Sequence, residues 1–484
     1  MFTYDDYQVI SGTFLFFTHP NGFVDSKKGC IYDNDKIMNK GVHLGQSPEC
    51  RLFIFRQDDD GQKAKAPTTL FLYHNKKRDR KMNTTEQELM KYIEEEDVKF
   101  IRLTFCDIFG VQKNISIQRS ELARAFENGI GIDASYISGF GGGYDRDIWL
   151  HPEPDTITIL PWRPEHGKVV RMFCTLTYAD GTPIEADTRA LLRNAVRYAN
   201  SKGLRFHFKS EMQFYLFRTD DNGESTGIPY DNAGYMDIAP LDKGENVRRE
   251  ICLTLEQMGI KPESSHHEAG PGQNQIDFRY ADPLTAADNT VTFLSVVRTL
   301  AARNGLYADF SPKPLQDKPG SALHITVSVK TDSGDDITDS AIAGILHNIA
   351  GMTLFLNPTD SSYLRFGQQK APKYTTWSEN NRAQLICIRL TQNGNRCAQL
   401  RSPDPEANPY LAFALMIYAV LDGIENQRTL PKPVDEDIWL SNDKIKEEPK
   451  RLPDNLEKAR MEAKQSQLIQ KFISSSVIRL YCAK

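Results

Sequence analysis

Residues 266–289 read HHEAGPGQNQIDFRYADPLTAADN. A polar loop carrying His266, His267 and Glu268 leads into a strand, NQIDFRY, and then into a helical pattern that runs from Pro283 to Gly305. The same alternation extends outward on both sides. RFHFKSEMQFYLF (205–217) is an alternating strand and ENVRREICLTLEQMG (245–259) a helical pattern. ALHITVSV (322–329) and QLICIRL (384–390) are strands. DTRALLRNAVRYANSKG (187–203) reads as an amphipathic helix with Asp187 near its start and Gly203 at its end. Such alternation predicts an α/β or α+β fold with its sites at strand ends.

The chain has 484 residues, of which 25% are charged, and a formal net charge of −5. That length allows two or three domains with a substantial core. No basic stripe or acidic tail dominates, which argues against a nucleic-acid partner. The N-terminus, MFTYDDYQVI, lacks the positive region of a signal peptide. The apolar stretch YLAFALMIYAVL (410–421) is too short to span a bilayer and reads as a buried helix, so no membrane partner is expected. Eight cysteines without a CxxC pair read as reduced thiols, and the cytoplasm is the expected location.

Residues 1–81 differ from the rest. They mix β-like runs (TFLFF, RLFIF, TTLFLYH) with Gly, Asp and Lys clusters and end in the basic run NKKRDRK (75–81), read as a solvated linker. After Met82 comes a helix capped at Thr84 or Thr85 and then the strand KFIRLTF. GFGGGYD (139–145) is a weak phosphate-loop signal, and neither a nucleotide-binding P-loop pattern nor a GxSxG elbow occurs.

Polar residues recur at period two on these strands, which places them on one face. Glu211 pairs in this way with Gln213, His324 with Thr326, and Gln399 with Arg401, while the loop-strand segment adds Glu268 and Gln275. Grouped polar and charged positions predict a polar cavity, because buried charge needs partners. Glu211, Glu268 and His324 could form a hard-metal site of two carboxylates and one imidazole.

From about Met82 onward the chain resembles a type I glutamine synthetase. The blocks that carry the resemblance are GIDASYISGF (131–140), PEPDTITILPW (152–162), SEMQFYLF (210–217), residues 266–289, SPKPLQDKPGSALH (311–324), NNRAQLICI (380–388) and RSPDPEANPYLAFALMIYAVLDGI (401–424). The resemblance implies an α+β chain: a β-grasp domain over 82–185, then a catalytic domain over 186–484 with a curved antiparallel sheet flanked by helices. Residues 1–81 lie outside it, as an added domain or as sequence upstream of the true start. The family reaction is ATP-dependent: glutamate is phosphorylated and ammonia displaces the phosphate, with two divalent ions, Mg or Mn, on the phosphates. Subunits form stacked hexameric rings, a dodecamer.

By resemblance, metal ligands fall at Glu211, Glu268 and His324, which are kept, and at Gln213, Gln275 and Gln399, where the family has carboxylates. Five carboxylates against two dications sum to −5 + 4 = −1; with three amides the sum is −2 + 4 = +2. A carboxylate about 4 Å from a unit charge contributes about 4 kcal/mol at an effective dielectric of roughly 20. At least one metal is therefore expected to be lost, leaving one weakened site or none. The flap glutamate aligns at Lys370, where a cation would repel ammonium. Two ATP-contacting arginines fall at Cys387 and Cys397, read as packing cysteines with thiol ligands as the alternative, and a histidine near the phosphates falls at Thr326.

Other implied positions are kept. Arg365, Arg382 and Arg401 match arginines on substrate carboxylate and phosphate, and Gly320 a backbone contact to substrate. Asp133, from a neighbouring subunit, matches the ammonium-binding residue, and Tyr235 an ammonium-site tyrosine. The expectation is a pseudoenzyme with impaired metal and ATP use that binds a small anionic amino acid or regulates, in a homo-oligomer or beside an active paralogue. The alternatives are an active glutamine synthetase or γ-glutamyl ligase with altered metal dependence, and a purely structural ring protein.

Overall fold

The structure, a computed structural model, describes residues 13–18, 51–56, 84–140, 147–163, 166–368, 371–391, 393–436 and 449–483. Lys370, the run at 75–81, TTLFLYH and most of the glycine-rich loop at 139–145 lie outside the described residues. The chain divides into two compact units, Met1–Arg80 and Lys81–Lys484. In the first, β1 (Thr13–Thr18) pairs antiparallel with β2 (Arg51–Arg56), so the runs TFLFF and RLFIF are strands as read.

The second unit opens with the helix Thr84–Glu95 and a sheet of β3 (Val98–Cys106), β4 (Gln112–Gln118), β5 (Ile130–Asp133), β6 (Asp147–Pro152), β7 (Thr158–Ile159) and β8 (Lys168–Tyr178). Their order is β4-β3-β8-β6-β5, with β7 also on β8, and β3 and β8 run parallel at the centre. A larger sheet follows, of β9 (Leu204–Thr219), β10 (Ser225–Pro229), β11 (Pro262–His267), β12 (Gln273–Phe278), β13 (Leu306–Asp309), β14 (Leu323–Thr331), β15 (Trp377–Ser378), β16 (Ile386–Leu390) and β17 (Arg396–Leu400). Its order is β11-β12-β9-β14-β17-β16-β15, with β10 and β13 also on β9. Every pair in it is antiparallel except β15 with β16. The fold is α+β.

β9 shows why the site lies where it does. Its even positions Phe206, Phe208, Met212 and Phe214 are buried apolar residues facing the helices, and Phe208 stacks on Phe413 at 4.5 Å between centroids. Each such ring contributes about 2–3 kcal/mol through burial. Side chains on a strand alternate between faces, so this apolar row obliges Lys209, Glu211 and Gln213 to point the other way.

The flanking helices start at caps that can be read directly. Asp187 accepts from the amides of Arg189 and Ala190 at 3.0 and 3.1 Å. Asp282 and Asn408 cap helices Pro283–Arg303 and Pro409–Glu425, each with proline in the first turn. Pro409–Glu425 is buried along nearly its whole length, as the apolar run predicts. Among the described residues, one helix, Thr338–Leu356, is long and apolar enough to cross a membrane, and it is largely buried inside the protein. It crosses Pro409–Glu425 so closely that a Cβ on Gly344 would lie 2.1 Å from the Ala419 carbonyl oxygen. The loop after β3 is tied to two helices at Ile108, whose carbonyl accepts from Asn408 Nδ2 at 2.9 Å and from the Tyr481 hydroxyl at 3.0 Å.

Candidate active site

Strand register sets the polar face into rows. One row runs Asp277–Glu211–His324 across β12, β9 and β14. A second runs Lys209–Thr326–Gln399–Cys387 across β9, β14, β17 and β16. Gln275 sits opposite Gln213. Five of the six expected ligand positions, all but Glu268, therefore lie on four adjoining strands.

The amides bond to one another. The Ala322 backbone amide donates to Gln213 Oε1 at 2.9 Å, Gln213 Nε2 donates to Gln275 Oε1 at 2.9 Å, and Gln275 Nε2 donates to Asp277 Oδ1 at 2.8 Å. The Ser264 hydroxyl closes the chain on Asp277 Oδ2 at 2.6 Å. Gln399 is engaged as well: Oε1 accepts from Arg401 Nη1 at 3.0 Å and from the Cys387 thiol at 3.4 Å, and Nε2 donates to Thr326 Oγ1 at 3.2 Å. All three glutamines are buried, where polar groups without partners would be costly.

Glu211 is surrounded by positive and imidazole groups. Its Oε2 lies 3.5 Å from His324 Nδ1, and its Oε1 lies 3.7 Å from Lys209 Nζ and 3.8 Å from Arg389 Nη2. Burial works to raise the Glu211 pKa, but His324, Lys209 and Arg389 outweigh it and hold it at about 2. Burial, reinforced by Arg401, pushes His324 down to about 4 against the pull of Glu211. His324 is therefore neutral at pH 7, and the charge facing Glu211 comes from Lys209 and Arg389. Asp277 moves upward, first through burial and then through the Glu211 charge.

The two histidines of the opening segment separate. His266 shares a face with Glu268, its Nε2 3.2 Å from Glu268 Oε1, and its ring meets Tyr235 edge-on at 5.6 Å. His267 points the other way and is fully buried; its Nε2 lies 2.9 Å from Asp231 Oδ1 and its Nδ1 2.6 Å from the Glu268 carbonyl oxygen. Two acceptors favour the imidazolium, and although burial opposes it the His267 pKa is raised. Asp231, Asp242 and His267 are the group that brings ligand atoms within 4.8 Å of one another among the described residues; Glu211, Glu268 and His324 do not. The donors of that group are already occupied. Arg248 binds both oxygens of Asp242, and the amides of Gly272 and Lys243 bind Asp231. With a guanidinium inside it, the cluster anchors the Glu268 loop and does not suit a cation.

Arg365 and Arg401 are buried, and the Nε atom of each lacks a hydrogen-bond partner among the described residues. Arg365 Nη1 donates to the Ser402 carbonyl at 3.1 Å and lies 3.9 Å from Asp404. Arg382 is exposed, and its charge acts on Arg401. A Cβ on Gly320 would fall 2.5 Å from Arg365 Cγ and from the Pro312 carbonyl, so this arginine packs where only glycine fits. Tyr235 is half exposed. Asp133 sits exposed at the end of β5 in the small sheet, bonded to Ser135, and is not brought to the Glu211 group. Cys387 and Cys397 are buried, and burial raises the Cys387 thiol.

Several site residues escaped the sequence reading. Lys209, Asp277 and Arg389 each lie two positions from a residue already singled out, so extending the same period would have found them. Asp231 lies 36 residues from His267 and carries no local signal.

The glutamine synthetase catalytic-domain profile matches residues 185–484, and that of the glutamine synthetase beta-Grasp domain matches residues 97–178. The glutamine synthetase of Clostridium saccharobutylicum is 40% identical over 414 residues, covering 82% of this chain and 94% of that protein. The chain belongs to the glutamine synthetase family. The Staphylococcus aureus (strain N315) glutamine synthetase is 39% identical over 415 residues, covering 82% and 93%. Two solved structures, "GmaS/ADP complex-Conformation 1" and "Apo GmaS without ligand", superpose with TM-scores of 0.74 and 0.73 at 26% and 27% identity. Each covers 82% of this chain and 94% of the other.

Glutamine synthetases use Mg or Mn and ATP. The amides at Gln213 and Gln275 suit a dication less well than the carboxylates of the family pattern would. Each offers one neutral oxygen that already accepts an N–H, and an amide hydrogen of Gln213 occupies the gap between the two side chains.

Proposed function

We propose that this chain is a glutamine synthetase homologue impaired in metal and ATP use, acting as a binding or regulatory protein for a small anionic amino acid. One observation carries the reading: the hydrogen-bonded chain Ala322–Gln213–Gln275–Asp277, which satisfies among protein groups the positions at which the family places metal-binding carboxylates. Two carboxylates facing each other there would need a cation between them; two amides do not. The unpartnered Nε atoms of the buried Arg365 and Arg401 support retention of an anion. Glu211, Glu268 and His324 would be what remains of the metal ligands, for one weakened site or none, and Arg365, Arg382, Arg401, Gly320 and Tyr235 the amino-acid contacts. Asp133 would come from a neighbouring subunit of a ring-shaped homo-oligomer, with an active paralogue as a second assembly partner and the cytoplasm as the setting. Residues 1–81 would stand apart from the β-grasp domain at 82–185 and the catalytic domain at 186–484.

A second reading, an active glutamine synthetase or γ-glutamyl ligase with altered metal dependence, is favoured by the retained Glu211–His324 pair. The test is ADP release with glutamate, ammonium and ATP, in Mg²⁺ and separately in Mn²⁺. It is run beside a variant carrying Gln213→Glu, Gln275→Glu, Gln399→Glu and Lys370→Glu. We expect no turnover from the unmodified chain. Turnover by it in either metal would refute the impaired reading in favour of the second.

A further inference from the structure

Glu211 stands in its row between Asp277 and His324, and one of its oxygens already faces cations. Lys209 Nζ stands 3.7 Å and Arg389 Nη2 3.8 Å from the same oxygen, Oε1. Lys209 is not a swinging surface lysine. Its side chain is only 16% exposed, it rises from the interior of a sixteen-residue strand, and its ammonium is pinned by Glu263 Oε2 at 2.5 Å. Arg389 occupies the polar face of β16, across from Cys397 and two residues beyond Cys387. A divalent ion sits roughly 2.0–2.6 Å from a carboxylate oxygen, so one bound at Oε1 would lie within about 6 Å of both cations. At that range Arg389, together with Lys209, whose charge is shared with Glu263, opposes a dication even with protein screening.

We propose that Lys209 and Arg389 are resident counter-ions of Glu211, holding the charge that a divalent metal would carry, so that the pocket admits an anionic ligand without one. The inference rests on the impaired reading above and adds a cause to it. The missing acids explain why a metal is held poorly, and the resident cations explain why it is excluded even from the retained pair. Nothing covalent is required: the cation is supplied by the fold, and the carboxylate is neutralised when the chain folds.

The probe is Mn²⁺ alone, followed by electron paramagnetic resonance and by calorimetric titration of the full chain. Four proteins are compared: the unmodified chain, Lys209→Ala, Arg389→Gln, and Lys209→Arg as the charge-preserving control. We expect no specific Mn²⁺ binding by the unmodified chain or by Lys209→Arg. Removing either cation should tighten Mn²⁺ binding by at least roughly tenfold. A melt of each variant separates loss of fold from loss of exclusion, and Arg389→Gln stands as the independent arm if Lys209→Ala does not fold. Lys209→Ala and Arg389→Gln folded but still silent would overturn the proposal. If a separate Gln213→Glu, Gln275→Glu, Gln399→Glu variant that keeps Lys209 then binds Mn²⁺, the impaired reading survives alone. Tight Mn²⁺ binding by the unmodified chain would overturn both.

Discussion

Consider Gln275→Glu by itself. Gln275 Nε2 donates to Asp277 Oδ1 at 2.8 Å, and both residues are buried. The substitution replaces a donor with a carboxylate facing a carboxylate. Left fully charged, the pair would repel by about 6 kcal/mol at an effective dielectric of roughly 20. The pair escapes most of this by taking up a proton. At pH 7.5, protonating a carboxyl of ordinary pKa near 4.3 costs about 4 kcal/mol, of which a new hydrogen bond returns about 1. The net expectation is a loss of about 3 kcal/mol at pH 7.5. The sign follows from linkage: the pair's folded pKa is raised, so the folded state takes up a proton that the unfolded chain does not hold. Its stability therefore recovers as pH falls, and at pH 5 most of the loss should be gone. Urea denaturation of the full chain, with chelator present, at both pH values measures this directly. Equal stability of the two proteins at pH 7.5 would refute the role assigned to the amide chain.

Further expectations concern other parts of the site. Asp231→Asn should destabilise the protein by about 3 kcal/mol near pH 6, since it leaves His267 buried beside a neutral partner. Asp231 is held down at about 2 while His267 is raised, so their support is greatest between the two ordinary pKa values. It fades in strong acid and again as pH rises through the folded value of His267; melts across pH locate both limbs. Because His324 sits at about 4, folding resists its protonation, and stability should fall between about pH 6.5 and 4 by up to about 3 kcal/mol. His324→Asn should remove that part of the acid limb in denaturant titrations. Gly320→Ala should cost about 2 kcal/mol or more and weaken glutamate binding, because the added methyl meets Arg365 Cγ; calorimetry with glutamate reads the second effect.

Much of this site was legible in the sequence. The period-two pairs on β9, β14 and β17 gave the polar face, and the helical pattern from Pro283 and the apolar run at 410–421 gave two of the flanking helices, though not their caps. What could not be read was which groups meet across strands. Lys209, Glu211 and Arg389 come together only because β9, β14, β17 and β16 lie side by side in a fixed register, and no local propensity encodes that order. The division of labour between His266 and His267 is a simple alternation along β11, but its direction depends on the partner Asp231 far up the chain. The amide substitutions were visible as departures from a family pattern. That the amides would bond head to tail, rather than each find water, depends on Gln213 and Gln275 standing directly opposite.

That head-to-tail order has an evolutionary consequence. Every link from Ala322 to Asp277 donates in the same direction, so each amide's orientation is set by its neighbour. Changing either Gln213 or Gln275 to glutamate removes a donor from the middle of the series and sets two acceptors against each other. On the impaired reading proposed above, a path to a metal-binding site therefore runs through less stable intermediates unless a second substitution or a cation relieves them. On that reading the chain of amides acts as a ratchet: a single change to glutamate costs stability that only a cation or further substitutions would restore.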